Sequence, residues 1–170
     1  RLHPKEPLGV SCSADGLLLS WSFAGDLLRS FHGHTAIVDD LDLDPSGTLL
    51  ASTSRDFTLK VYDLASGVMT HAVDLGQQSP KSLLFWDRDN VIVGNYWGCL
   101  LRIDLRNESV TRRQIAENGI SALSRCDDGL VAASYDGSLS LVDPLDLMVK
   151  RRLCAMVQKD WATRPGAATA

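Results

Sequence analysis

Residues 33–63 read GHTAIVDDLDLDPSGTLLASTSRDFTLKVYD. Three short alternating runs lie inside this stretch. Val38, Leu41 and Leu43 are the apolar members of the first; residues 49–54 form the second and residues 58–62 the third. Pro45-Ser46-Gly47 separates the first two, and Arg55-Asp56 the last two. Proline presets φ and lacks an N–H, and glycine tolerates positive φ, so such punctuation between β-rich runs marks hairpins. The stretch predicts an antiparallel meander.

The same pattern recurs. Ala14-Asp15-Gly16 precedes LLLSWS at 17–22, and Arg55-Asp56-Phe57 precedes TLKVYD at 58–63. Tyr96-Trp97-Gly98 precedes CLLRID at 99–104, and Tyr135-Asp136-Gly137 precedes SLSLVD at 138–143. The steps from residue 15 to 56, 97 and 136 are 41, 41 and 39. An unrelated antiparallel sandwich has short strands but no reason to repeat. A fixed period means one supersecondary unit stacked on copies of itself.

With Gly33-His34 near its start and Tyr62-Asp63 at its end, the second unit resembles the WD-repeat family. The resemblance covers about residues 8–153. It implies an all-β chain of about four β-propeller blades, each a four-stranded antiparallel meander, the first incomplete. The match is uneven: Trp21 is followed by Ser22, and the last two units end in Ile103-Asp104 and Val142-Asp143. The expected units are about 8–31, 33–74, 80–115 and 119–153. The first has three strands and lacks its innermost one, with an irregular lead-in over residues 1–7. The tail, 154–170, breaks the pattern, and its end predicts disorder; Trp161 within it is a candidate for docking on a neighbouring surface.

Propellers have about four to eight blades and must close into a ring. An open arc would leave an unpaired edge and an apolar flank. The expectation is therefore the C-terminal half of a larger propeller, completed by a missing segment or another chain. The chain also starts at Arg1 rather than Met, so an upstream portion with any targeting signal is expected to be absent.

The totals narrow the classes. The 170 residues are 45% hydrophobic and 22% charged, an ordinary globular composition. A net charge of −4 shows no basic surplus, so direct nucleic-acid binding is disfavoured. No apolar run approaches the roughly 18 residues of a spanning helix, so no membrane partner is expected. Cys12, Cys99, Cys126 and Cys154 show no C-x-x-C spacing. Cys12 and Cys99 fall inside strand patterns and read as small buried hydrophobes, and the expected setting is reducing and cytoplasmic, with no metal and no cofactor.

His34, Ser52 or Ser54, Asp56 and Tyr62 invite a Ser-His-Asp reading. The resemblance implies instead a structural tetrad that pins the incoming loop to the strands: a His from that loop, a Ser or Thr, a turn Asp and a strand Trp, here Tyr62. Ser52 and Ser54 share a face, so spacing leaves the choice between them open. A hydrolase would also need an oxyanion hole and an exposed nucleophile. The acidic run Asp39, Asp40, Asp42 and Asp44 lacks a calcium loop's glycine and terminal ligand, and reads as a solvated strand face.

A partner surface is expected on one rim. Residues at the turns between second and third strands repeat around a common face, and Arg55, Tyr96, Trp97 and Tyr135 stand there. Aromatics and arginine are enriched at interface hot spots. The function expected is a non-catalytic protein-protein interaction scaffold that holds a protein or peptide. The alternative is a sensor or regulatory propeller half with an effector domain upstream. Fold alone does not choose.

Overall fold

A computed structural model describes residues 1–154. Among these it contains fifteen strands and no helix. They are β1 (Leu8–Cys12), β2 (Leu18–Ser22), β3 (Leu27–Phe31), β4 (Val38–Leu43), β5 (Leu49–Ser54), β6 (Thr58–Asp63), β7 (Met69–Asp74), β8 (Pro80–Phe85), β9 (Asn90–Asn95), β10 (Cys99–Asp104), β11 (Ser109–Gln114), β12 (Ile120–Cys126), β13 (Gly129–Ser134), β14 (Ser138–Val142) and β15 (Val149–Cys154). They make one three-stranded and three four-stranded sheets, each an antiparallel meander in chain order. The tail with Trp161 lies outside the described residues.

Side chains alternate across a strand, so each sheet has two faces to bury. β5 sends Leu50 to one neighbour and Ala51 to the other. One core lies between the first two sheets, with Leu18 and Phe31 meeting Leu50 and Tyr62. The Phe31 and Tyr62 rings stand edge to face, 5.5 Å apart. A second core joins sheets two and three through Leu59, Val61, Leu83 and Phe85, and a third joins sheets three and four through Ile92, Leu100, Ile120 and Leu130. Each fully buried side chain of this size contributes about 1.5–3 kcal/mol.

The first strands of neighbouring sheets pack on one another. β1 packs on β4, β4 on β8, and β8 on β12, while β7, β11 and β15 lie outermost in their sheets. Gly94 permits the close approach of sheets three and four. A side-chain carbon there would stand 2.5 Å from Ser82 Oγ and 2.6 Å from Ile120 Cβ.

Two regions differ from the sequence expectation. The acidic run is not a solvated face. Asp40 accepts the Leu83 amide at 2.8 Å and Asp42 the Phe85 amide at 3.0 Å. An inner strand has no partner strand on its central side, and carboxylates of the preceding sheet supply acceptors for β8. Burial pushes both carboxyls upward despite these bonds. Asp44 is buried and ties its own turn by accepting from Ser46 and the Leu49 amide.

The second region is the lead-in. Leu2 bridges Gly9, and Arg1 and Val10 exchange backbone bonds. His3 N donates to Leu8 O, just as Asp44 N donates to Leu49 O in the second sheet. Arg1 and Leu2 thus pair with β1 through an isolated bridge, while residues 4–7 stay irregular as expected.

Candidate functional site

The incoming loop of the second sheet carries His34 over the turn between β5 and β6. Its Nδ1–H donates to Asp56 Oδ2 at 2.8 Å, and its Nε2 accepts from the Ser52 hydroxyl at 2.9 Å. A carboxylate only accepts, so this arrangement fixes the tautomer. Asp56 Oδ2 also takes the Thr35 amide at 3.0 Å, while Oδ1 takes the Thr58 amide and hydroxyl at 3.0 and 2.6 Å. Burial would raise the Asp56 carboxyl, but bonds from Thr58, His34 and Thr35 outweigh it and hold the group down to about 2. Burial lowers the His34 imidazole more than Asp56 raises it, so the ring is neutral near pH 7.

Ser52 joins this network and Ser54 does not. The Ser54 hydroxyl donates to the Ala36 carbonyl at 3.1 Å. Tyr62 also stands apart, because its hydroxyl donates to the His32 carbonyl at 3.2 Å rather than to a serine. A phenol on this strand reaches past Ser52 to the loop backbone. Sequence reasoning missed Thr58, whose position two residues after Asp56 is the spacing of an Asx-type turn.

Chemically, the network is a latch. The His34 side chain and Ser52 are fully buried, so the Ser52 hydroxyl is not presented to a substrate as a nucleophile must be. Among the described residues no group of His, Cys, Asp and Glu side chains is arranged to hold a metal ion.

The other sheets carry partial versions. Asp136 Oδ2 accepts the Glu117 amide at 2.9 Å, which repeats the bond from Asp56 to Thr35 without a histidine. In the third sheet Asn95 Oδ1 takes the Trp97 and Cys99 amides, replacing the turn aspartate.

The candidate rim is built on these turns. Tyr96 and Trp97 are each 52% exposed and Tyr135 61%, and the Tyr96 and Trp97 rings meet edge to face at 5.9 Å. Tyr96 and Tyr135 flank Gly119: a side-chain carbon there would stand 3.3 Å from both Tyr96 Cα and the Tyr135 ring. The Trp97 turn is held from both sides, since its amide bonds Asn95 and its carbonyl accepts from Gln114 Nε2 at 2.6 Å. Lys81 sits 5.8 Å from the Tyr96 ring centre. Arg55 is exposed on the neighbouring turn and engaged with Asp39 at 3.3 Å; among the described residues it makes no bond to the aromatic trio. Phe57, missed from sequence, is also exposed at the second turn, at a φ of 65°.

The meander, its period and this turn chemistry meet in one comparison. The family model described as WD domain, G-beta repeat, matches residues 25–63, which run from β3 through β6. Residues 25–63 thus carry a WD repeat. A WD-repeat relative, "WD repeat-containing protein SL1-17" of Schistosoma mansoni, is 26% identical over 141 residues, 79% of this chain and 47% of that protein. "Small ribosomal subunit protein RACK1" of Saccharomyces cerevisiae is 41% identical over 64 residues, 34% of this chain and 20% of its own length. "Eukaryotic translation initiation factor 3 subunit I" of Neurospora crassa is 24% identical over 153 residues, 78% of this chain and 43% of its own length. The chain spans less than half the length of each of these relatives.

Proposed function

We propose that this chain is a non-catalytic protein-interaction module. Its four sheets belong to a larger propeller, completed by further blades of the same protein or by another chain. The rim formed by Tyr96, Trp97 and Tyr135, with Arg55 and Phe57 beside it, takes a protein or peptide partner.

The observation that carries this reading is the exposed aromatic trio held on hydrogen-bonded turns, beside a His34 network that is closed to substrate. Pre-ordered aromatics lose little freedom on binding, which is what an anchor requires. Two relatives support the class: by name one is a ribosomal subunit protein and the other a subunit of an initiation factor, both parts of larger assemblies. Free Cys12, Cys99 and Cys126 fit a reducing, cytoplasmic setting. No helix among the described residues is long and apolar enough to cross a membrane.

The test is a quantitative comparison of co-purifying proteins between the wild-type protein and the Tyr96→Ala, Trp97→Ala double variant. Loss of a defined partner with an unchanged melting temperature supports the rim. Retention of every partner contradicts it.

A further inference from the structure

The interfaces between sheets do not carry the same chemistry. Counting from the turns at 56, 97 and 136, Val61 on β6 corresponds to Arg102 on β10, and Leu101 on β10 to Ser140 on β14. Val73 pairs with Leu59, and Arg113 with the corresponding Leu100, so Val73 and Arg113 are also equivalent. Between sheets two and three these places are apolar, with Val61, Val73 and Leu101 all buried in one core. Between sheets three and four they hold Arg102, Arg113 and Ser140.

Register fixes which way these side chains face. Leu100 belongs to the core between sheets three and four. Arg102 follows it by two on β10, and Arg113 is its cross-strand partner on β11, so both share its face. On the opposite wall Ser140 precedes the core residue Val142 by two, and Arg152 pairs with Ser140. Bonds cross the seam in both directions: Arg113 Nε donates to Asp146 O at 3.2 Å, and Arg152 Nη2 donates to Ile115 O. Three guanidinium groups, from β10, β11 and β15, thus line one seam.

Their charge is not balanced within the fold. None of the three makes an ion pair among the described residues, and the neighbouring carboxylates are engaged elsewhere. Asp104 is taken by Arg106 at 2.8 Å and Asp143 by Lys150 at 3.1 Å, while Asp146 accepts the Met148 amide at 2.8 Å. Arg102 makes no hydrogen bond among the described residues, and its Nε is buried without an acceptor. Ser140 is 1% exposed, and its hydroxyl also lacks a partner. A shielded cation without a counter-charge is costly, and like charges on one seam repel. The outer strands add to the imbalance: β11 and β15 also carry Arg112, Lys150 and Arg151 and no acidic residue, in a chain whose net charge is −4. The positive charge is concentrated here rather than spread over the surface.

We propose that this seam docks an acidic segment of a protein partner, whose carboxylates run between β11 and β15 and pair with Arg102, Arg113 and Arg152. A guanidinium takes a carboxylate through two parallel bonds. Arg113 and Arg152 are exposed and capture the segment, while Arg102 is half-buried, so the pair made there is the least screened by salt. A nucleic acid fits less well, because the basic strip is narrow and the chain as a whole repels a polyanion. The seam shares no residue with the aromatic rim and adds a second surface to it.

The test titrates labelled hexaglutamate into the full 170-residue chain at low and at physiological salt, read by fluorescence anisotropy. Binding is expected at low salt and weakens as salt rises. Arg102→Val is expected to weaken it about tenfold, and to raise the melting temperature because it restores the residue of the equivalent interface. Should the valine variant melt below wild type, Arg102→Gln is read in its place. Arg113→Gln with Arg152→Gln abolishes binding, whereas Arg112→Gln, whose side chain faces sheet two through its partner Leu101, costs little. The Tyr96→Ala, Trp97→Ala double variant binds hexaglutamate as wild type does, which separates this surface from the rim. Absence of binding at low salt overturns the proposal, as does equal binding by wild type and the Arg102 variant, or an Arg112→Gln loss as large as that of the pair. Tighter binding of oligothymidylate of the same charge would also overturn it, in favour of a nucleic-acid surface.

Discussion

His34 Nδ1 lies 2.8 Å from Asp56 Oδ2, and this single bond ties the loop before β4 to the turn after β5. Both side chains are nearly inaccessible, at 0% and 9% exposed. The pair therefore acts on stability through one loop and one turn.

Replacing His34 with Ala leaves a carboxylate short of one donor and the Ser52 hydroxyl without its acceptor. The expected loss is about 2–3 kcal/mol. Ser52→Ala is expected to cost about 1 kcal/mol, and the double variant less than the sum, because the residues share one network. Denaturant unfolding of the three variants measures this. Strict additivity would mean that the contacts are not coupled.

The pH dependence has a definite sign. His34 is held below its ordinary value in the fold, so between that lowered value and about 6.5 the unfolded chain binds the extra proton and stability falls as pH falls. Asp56 is held down to about 2, so its contribution is full above about 4 and is lost as pH falls toward 2. Thermal melts of wild type from pH 7.5 to 4.5 should decline. In His34→Ala the part of that slope due to the imidazole should vanish, which an unchanged slope would contradict.

Phe57 occupies a left-handed place that the other three turns give to Gly16, Gly98 and Gly137, with φ values of 86°, 82° and 84°. A bulky residue at 65° carries strain. Phe57→Gly is expected to stabilise the fold by about 0.5–1 kcal/mol while weakening any partner held by the rim. A destabilised variant would show that the ring packs more than its exposure indicates.

Gly94→Ala is expected to destabilise by about 2–4 kcal/mol, because the added methyl meets Ser82 Oγ and Ile120 across the third interface. The backbone there is not the reason, as Gly94 is not among the positive-φ glycines. A melt within one degree of wild type would mean that the sheets can move apart without cost.

Leu59 and Leu139 hold the same repeat position, one fully buried under the third sheet and one 40% exposed on the flank of the fourth. Leu59→Ala is expected to cost about 2–5 kcal/mol. In the isolated chain at low concentration, Leu139→Ala should cost well under half as much. Equal losses would mean that the fourth sheet is already covered.

The repeat was legible because it is a matter of turn residues. The Asp-Gly pairs at 15–16 and 136–137, and the apolar alternation behind them, locate β1–β2 and β13–β14 within a residue or so. Period and punctuation are local signals. What depended on distance was not legible. Whether Ser52 or Ser54 meets His34 is decided by the depth of the loop, which no spacing records. Tyr62 was expected beside the serine, yet its longer polar reach takes it to His32. Asp40 and Asp42 looked solvated because alternation shows that they face away from one core, but not that the β8 amides await them there. Trp97 and Tyr135 are legible as exposed turn aromatics, whereas Phe57 is hidden because a turn position normally given to glycine reads as punctuation.

The most direct test is the native mass and thermal unfolding of the 170-residue chain purified alone, by sedimentation and calorimetry at several concentrations. The expected result is association or aggregation through the open flanks, with a broad, concentration-dependent transition that sharpens when the remaining blades are supplied. A monomer with one sharp, concentration-independent transition would mean that these sheets close on themselves, and the larger propeller would have to be abandoned.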